Sequence, residues 1–371
     1  MPEIIIAHQT VTDGDAIGHD ILGMYDILTQ FGYKSYIFAE NYLGKAKSYH
    51  VNAAKINELS ENNSNILIYH HSIFWENGEK LLLKFRGRII FKYHNITPHD
   101  YFKNYSDTLY ARCYQGIEQT KRLVQKYGEC MWWGDSRYNN QNLQEFGLDP
   151  KFCMTVPPFN VLDELEAIEP NFEIIDSLVN NKNNNILFVG RVAPNKGHKY
   201  LIEIINAYQQ MYGSTIHLWI VGSLDHNDCK SYNNEIINLI NKYGLTQNIT
   251  LTDKLPIEDI KAYYLACDAF LCMSEHEGFC VPIIEAQKLM LPLVTFGGSA
   301  LSETVGQNQI IVNDFDYDFA ASALFTIFSD KRVSKFCIHH GLINVNSRYS
   351  REIIKSTFIS AFYQLIEADI K

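Results

Sequence analysis

No apolar run in the 371-residue sequence approaches the roughly 20 residues a membrane-spanning helix needs. The opening MPEIIIAHQTVTDG has no basic segment ahead of its short apolar run, so no secretory signal is expected there. Positive charge is also scarce, with 32 Lys and Arg against 42 Asp and Glu and a formal net charge of −10. Nucleic acid is therefore not an expected partner, because neutralising phosphates takes clustered cations. An anionic ligand has to meet a local positive site. The eight cysteines (113, 130, 153, 229, 267, 272, 280 and 337) include no C-x-x-C pair, and several sit in apolar stretches such as LACDAFLCMS (265–274). Buried free thiols in a reducing compartment are expected, and with them a cytoplasmic protein.

What is present reads as two domains, since length alone suggests about 150 residues for each. EIIIAH (3–8), KSYIFAE (34–40), NILIYHH (65–71) and RIIFKYHN (88–95) have strand length and β-branched or aromatic content. Between the first two, Ile17, Ile21, Leu22, Met24, Tyr25 and Leu28 recur at helical spacing, and Gly32 marks a stop. This alternation predicts a parallel sheet covered by helices. It restarts after the polar run NNKNNN with NILFVG (185–190), IHLWIVG (216–222), NITLTDKL (248–255), DAFLCMS (268–274) and LPLVTF (291–296). The expected organisation is an α/β chain of two Rossmann-like domains, residues 1–160 and 183–345, with a linker around 158–182. A C-terminal helix over 346–371 is amphipathic and packs on the second domain or crosses back to brace the first.

Two stretches carry candidate chemistry. In ILFVGRVAPNKGHKYLIEII (186–205) a buried strand ends at Gly190, and a loop with Arg191 and Lys196 leads through Gly197 into a helix. Cations in a strand-to-helix loop suit a phosphate, which the helix N-terminus and its free N–H groups already favour. Neither G-x-x-x-x-G-K-[ST] nor G-x-G-x-x-G is present, so a Walker loop and a dinucleotide fingerprint are both excluded. In the second stretch, DAFLCMS runs through EHEGFC into VPIIEAQKLM, with Pro282 suited to a first helical turn. Glu277 and Glu285 bracket that turn, and a carboxylate can accept two vicinal sugar hydroxyls.

Together FVGRVAPNKG, SEHEGFCVPIIEA with its E-x7-E spacing, and GGSALSETVG (297–306) resemble the retaining family 4 glycosyltransferases of GT-B architecture. The resemblance covers most of the second half and, more weakly, the strand and helix order of the first. It implies two sheets facing across a cleft, a nucleotide-sugar donor, and a saccharide or lipid-linked saccharide acceptor. It further implies that Arg191 and Lys196 hold the donor diphosphate, that Glu277 holds sugar hydroxyls, and that Glu285 holds the ribose. Gly190 and the backbone of Phe279, Cys280 and Val281 then approach the donor, and TDKL with Lys254 lies where the base packs. In the first half, HQTVTDGDAIG offers Gly14 and Gly18 where family members carry a Gly-Gly loop. YHNITP (93–98) resembles the family's strand-end histidine, making His94 a candidate contact to the donor sugar.

The expected reaction is retaining hexose transfer without a metal or other cofactor, with GDP-mannose as first donor, in bacterial O-antigen or capsule synthesis. A GT-B sugar-nucleotide epimerase and an idle sugar-nucleotide-binding protein are the alternatives. DGD (13–15) and DFDYD (314–318) imitate the D-x-D metal signature outside its usual context, and no metal is expected there. Nor is zinc expected on His70, His71, His94 and His99, because adjacent strand residues face opposite ways. The basic stretch KLLLKFRGRIIFK (80–92) is a solvated helix and strand end or a peripheral contact with the inner membrane.

Overall fold

The computed structural model describes residues 1–213, 215–224 and 228–367. It divides into two compact units. The first comprises Met1–Pro98, Ala111–Val161 and the C-terminal stretch from Arg351, and the second His99–Tyr110 and Leu162–Ser350.

The first unit is built on a six-stranded sheet of β1 (Ile4–Val11), β2 (Ser35–Tyr42), β3 (Ile66–His71), β4 (Arg88–Tyr93), β5 (Met131–Gly134) and β6 (Cys153–Thr155). The order is β2-β1-β3-β4-β5-β6 and every pairing is parallel. Because helices cover such a sheet, its inner strands read as unbroken apolar runs, and Ile4 to Ala7 and Ile66 to Tyr69 are fully buried. The helix Arg351–Glu367 belongs to this unit. Its Ile354, Phe358 and Phe362 join the core cluster of Ile21, Ile68, Trp133 and Phe159, with the Phe358 ring edge-on to both Trp133 and Phe159. Residues 368–371 of the expected C-terminal helix lie outside the described residues.

The second unit holds β7 (Asn184–Val189), β8 (Ile216–Val221), β9 (Ile249–Leu251), β10 (Ala269–Cys272), β11 (Leu293–Phe296) and β12 (Ile310–Val312). The order β12-β11-β10-β7-β8-β9, again all parallel, is doubly wound. The chain runs outward from β7 to β9 and returns to place β10 on the other side of β7. The strand order thus reverses between β7 and β10, and open sheets of this kind bind ligands outside the carboxyl ends of the strands at such a point.

Three local features sharpen the sequence expectation. The strand expected over 248–255 ends at Leu251 and frees TDKL as a loop, where Asp253 Oδ1 accepts the Lys254 N–H and Pro256 starts the helix Ile257–Ala266. Residues in the expected linker form the helices Leu162–Ala167 and Phe172–Asn180. The Lys261 ammonium binds the carbonyls of Glu166 and Ile168 at the end of the first, satisfying acceptors that a helix C-terminus leaves open. Residues 99–110 side with the second unit, where Tyr105 donates to Glu235 Oε2 at 2.8 Å and packs edge-on to Tyr232. All eight cysteines are free thiols, six of them buried and Cys130 and Cys153 half-buried.

Several histidines are buried neutral in both units. Burial pushes His8 and His276 down to about 4, and His71 and His198 down to about 3. The unfolded chain takes up those protons near pH 6.5, so stability falls as pH drops from about 6.5 toward 4. Asp20 opposes this, because burial raises its carboxyl to about 6 and its stabilising protonation is lost as pH rises through that value. Four histidines at about 2 kcal/mol each at pH 5 outweigh it. The thermal midpoint should drop between pH 7 and pH 5, and a flat or rising midpoint over that range would contradict the burial of these rings.

Candidate active site

The switch point of the second unit lies where β7 and β10 pair, with Ala269 opposite Ile186 and Phe270 opposite Leu187. After β7, Gly190 donates to the Val221 carbonyl at 2.9 Å, and Val192 donates to Ser223. Arg191 between them is exposed and has no ion-pair partner among the described residues. The loop then makes a single turn at Pro194–Lys196 and enters the helix His198–Tyr212 through Gly197, whose φ is +71°. A side chain there would meet two obstacles, the left-handed backbone and the Met273 carbonyl oxygen, 1.9 Å from where a Cβ would stand. The loop after β7 thus lies directly on the end of β10.

Asn195 fastens the two loops. Its carbonyl accepts the Glu275 N–H at 2.9 Å, and its Nδ2 donates to the His276 carbonyl at 3.1 Å. The next residue, Lys196, places its Nζ 2.6 Å from Glu277 Oε1. Burial alone would lower the Lys196 pKa, but the Glu277 carboxylate overrides it and holds the ammonium above the usual lysine range. The Glu277 N–H donates to Ser299 Oγ at 3.0 Å, which fixes the backbone carrying the carboxylate. An ammonium held this way is charged, oriented and able to exchange its carboxylate partner for an incoming phosphate.

Past Glu277 the chain turns into the helix Val281–Lys288, with Pro282 in its first turn as expected and Cys280 at φ +77°. Thr304 Oγ1 donates to the Phe279 carbonyl at 2.6 Å, and the Phe279 ring packs edge-on to Tyr349. These contacts fix the backbone of Phe279 to Val281. Glu285, half-buried on this helix, accepts a 2.7 Å bond from the Tyr264 hydroxyl, and burial raises its pKa. Lys254 is exposed in its loop. His276 is buried, and its ring lies 6.5 Å from that of Tyr101.

In the first unit Gly14 sits in the exposed turn after β1 and donates to Thr12 Oγ1. The close approach there belongs to Gly18, where a Cβ would lie 1.6 Å from the Thr12 carbonyl oxygen. His94 follows β4 with its side chain only 5% exposed. Its Nδ1 is 2.9 Å from Asp135 Oδ2 and its Nε2 is 2.8 Å from His70 Nδ1. The other Asp135 oxygen accepts from the fully buried Lys92 ammonium, which also donates to the Val156 carbonyl. Lys92 therefore does not belong to any basic surface over residues 80–92. Asp15 and Asp316, in the D-x-D imitations, cap helices by accepting the N–H groups of Gly18 and Phe319.

Asn195, Ser299, Tyr264 and Thr304 were not singled out in the sequence. Asn195 stood inside the quoted PNKG and could have been found there. Ser299 and Thr304 stood inside the quoted GGSALSETVG, whereas Tyr264 is uncharged and distant in sequence from Glu285, so nothing marked it.

Comparison with known proteins bears on this site. Residues 171–339 match the model of glycosyl transferases group 1. It is 26% identical over 176 residues to the capsular polysaccharide biosynthesis glycosyltransferase CapM of Staphylococcus aureus, covering 47% of this chain and 44% of that protein. With CapH of the same organism, also described as a capsular polysaccharide biosynthesis glycosyltransferase, the identity is 25% over 228 residues, 60% of this chain and 57% of CapH. The chain thus spans about half the length of the curated relatives it matches.

Among solved structures, Anabaena HepE in complex with UDP-glucose superposes with a TM-score of 0.76 at 14% identity, over 98% of this chain and 99% of that one. Sucrose-phosphate synthase of Thermosynechococcus elongatus gives a TM-score of 0.75 at 17% identity, over 99% of this chain and 100% of that one. At such identities the likeness shows the fold, which is GT-B. Among the described residues no helix is long and apolar enough to cross a membrane.

The seating of the loop after β7 makes Gly197 the most sensitive backbone position here. Gly197→Ala should cost more than the roughly 1–2 kcal/mol of a left-handed alanine, because the Met273 carbonyl must also move. Thermal unfolding should show a midpoint several degrees lower, and an unchanged midpoint would contradict the seating of Gly197 on the Met273 carbonyl.

Proposed function

We propose that the protein transfers a hexose, with retention of anomeric configuration, from a nucleoside-diphosphate sugar to a saccharide hydroxyl. The observation that carries this reading is the Lys196 to Glu277 contact at 2.6 Å, held at the carboxyl ends of the adjacent strands β7 and β10. A donor brings both a diphosphate and a hydroxylated ring, and the pair offers one charge of each sign to receive them. Lys196 with the exposed Arg191 would take the phosphates, Glu277 the sugar hydroxyls, and Glu285 the ribose. The N–H groups from Phe279 to Val281 and the glycine backbone at Gly190 would lie along the donor, and Lys254 near its base. Gly14 would stand beside the diphosphate or acceptor.

Negative charge grows on the leaving diphosphate as its bond to the sugar breaks. Two preorganised cations stabilise that charge more in the transition state than in the ground state, so no metal is required at the diphosphate. The departing phosphate oxygen then takes the acceptor's proton in a front-face attack. His94 is the first unit's candidate contact to the sugar. That contact requires His70 to release His94 Nε2, since Asp135 holds the other ring nitrogen.

The acceptor is proposed to be a saccharide or lipid-linked saccharide of a surface polysaccharide, made in the cytoplasm or at the inner face of its membrane. Support comes from the family match and from two relatives described as capsular polysaccharide glycosyltransferases. GDP-mannose heads the donor panel, followed by UDP-glucose and UDP-N-acetylglucosamine, to be ranked by the rise in thermal midpoint each produces.

With the donor so identified, Lys196→Ala should lower kcat/KM by roughly ten- to a hundredfold or more, the value of one charged hydrogen bond. Steady-state transfer assays provide the check, and full activity in the variant would remove Lys196 from the site. Added Mg2+ or Mn2+ should leave the wild-type rate unchanged, whereas a strict requirement for either ion would contradict stabilisation by Arg191 and Lys196.

A further inference from the structure

In the first unit β4 and β5 pair in parallel with Tyr93 opposite Gly134, so the residues that follow them, His94 and Asp135, leave the sheet side by side. On the neighbouring ladder β3 sets His70 opposite Lys92. The strand register thus gathers four chemistry-bearing side chains at one sheet end. Asp135 Oδ2 stands 2.9 Å from His94 Nδ1, the other Asp135 oxygen accepts from the Lys92 ammonium, and His94 Nε2 stands 2.8 Å from His70 Nδ1. Burial alone would raise the Asp135 carboxyl, but His94 and Lys92 override it and hold it below the usual carboxylate range. An ionised carboxylate only accepts, so the proton between the two belongs to His94 Nδ1.

We propose that Asp135 is a positioning residue for the transfer, fixing His94 in the tautomer whose Nε2 lone pair receives a hydroxyl of the donor sugar. The role rests on His94 being the first unit's contact to that sugar. Which imidazole nitrogen carries the proton is set by what the other one is bonded to, and here a carboxylate decides it. Lys92 in turn holds the carboxylate. Its ammonium is fully buried and donates to the Val156 carbonyl as well as to Asp135, so neither charge can turn toward water. A ring supported this way meets its ligand already oriented, without first losing rotational freedom.

His70 is the partner that gives way to the sugar. Burial keeps its ring neutral, and with Nε2 unpartnered its single proton lies on Nδ1, toward His94. Asp20 Oδ2 accepts no hydrogen bond and stands 3.9 Å from that same Nδ1, with the Lys92 ammonium 3.8 Å away to balance its charge. When a sugar hydroxyl takes His94 Nε2, a small turn of the His70 ring would carry its N–H to Asp20. The buried donor then keeps an acceptor, and the exchange avoids the cost of an unpaired group.

Asp135→Asn tests the role. The Asn oxygen would stay with the Lys92 ammonium and its amide group would face His94, so that Nδ1 becomes the acceptor and the proton moves to Nε2. Imidazole nitrogen NMR spectra should show His94 protonated at Nδ1 alone in the wild type and at Nε2 in the variant. With the donor that thermal shift ranks first, kcat/KM should fall roughly three- to tenfold, the value of one neutral hydrogen bond, while binding of GDP or UDP alone stays unchanged. His94→Ala should lose at least as much, and adding Asp135→Asn to it should lose nothing further, because Asp135 acts only through the ring. Should Asp135→Asn fail to fold, with Lys92 left buried beside a neutral partner, the wild-type tautomer decides instead. A wild-type His94 protonated at Nε2, undiminished transfer by a folded Asp135→Asn protein, or a second loss in the double variant would overturn the role. A wild type that transfers no sugar would instead overturn the transferase reading, and this role with it.

Discussion

Lys196 reaches Glu277 because the loop after β7 can lie on the carbonyl of Met273, and only a residue without a Cβ permits that approach at Gly197. The bond from Asn195 to His276 and the seating of the Glu277 N–H on Ser299 then hold both charged groups in register. Remove this docking and the ammonium and carboxylate become two solvated side chains on separate loops, each free to find water. With it, a half-buried ion pair sits at the carboxyl ends of β7 and β10. Breaking such a pair is unfavourable unless new partners replace both members, and the proposed donor, with its anionic group and hydroxyls, would supply both.

The loops and their candidate charged residues were legible in the sequence for a definite reason. Arg191, Lys196, Glu277 and Glu285 are charged, lie close to glycine or proline punctuation, and follow strong β-branched runs, so pattern alone places them at strand ends. The strands of the fold were legible where they were long and buried on both faces, as with Ile4–Val11 and Ile66–His71. The four-residue strand Met131–Gly134 and the three-residue strands Cys153–Thr155 and Ile310–Val312 were too short for periodicity to show. Supports such as Tyr264 under Glu285 were invisible because a single uncharged side chain acts across a distance that only folding closes.

Long-range packing also decided where chain segments belong. The helix Arg351–Glu367 completes the core of the first unit through Phe358 and Phe362, and residues 99–110 join the second through Tyr105. The buried charges of the first unit show the same limit. The sequence set aside a metal because His70 and His71 diverge, which the structure bears out for that pair. Asp20, fifty residues upstream, stands 3.9 Å from both His70 and His94, a neighbourhood that local reasoning could not foresee.

The central claim is that Lys196 receives the donor's phosphates while Glu277 receives its sugar. Calorimetric titration with the nucleoside diphosphate alone, and then with the nucleotide sugar, separates the two roles in folded Lys196→Met and Glu277→Gln proteins. The account predicts that Lys196→Met weakens binding of the diphosphate itself. Glu277→Gln, by freeing the ammonium, should preserve or tighten diphosphate binding and lose the increment due to the sugar. Equal diphosphate affinity in the wild type and Lys196→Met would contradict it.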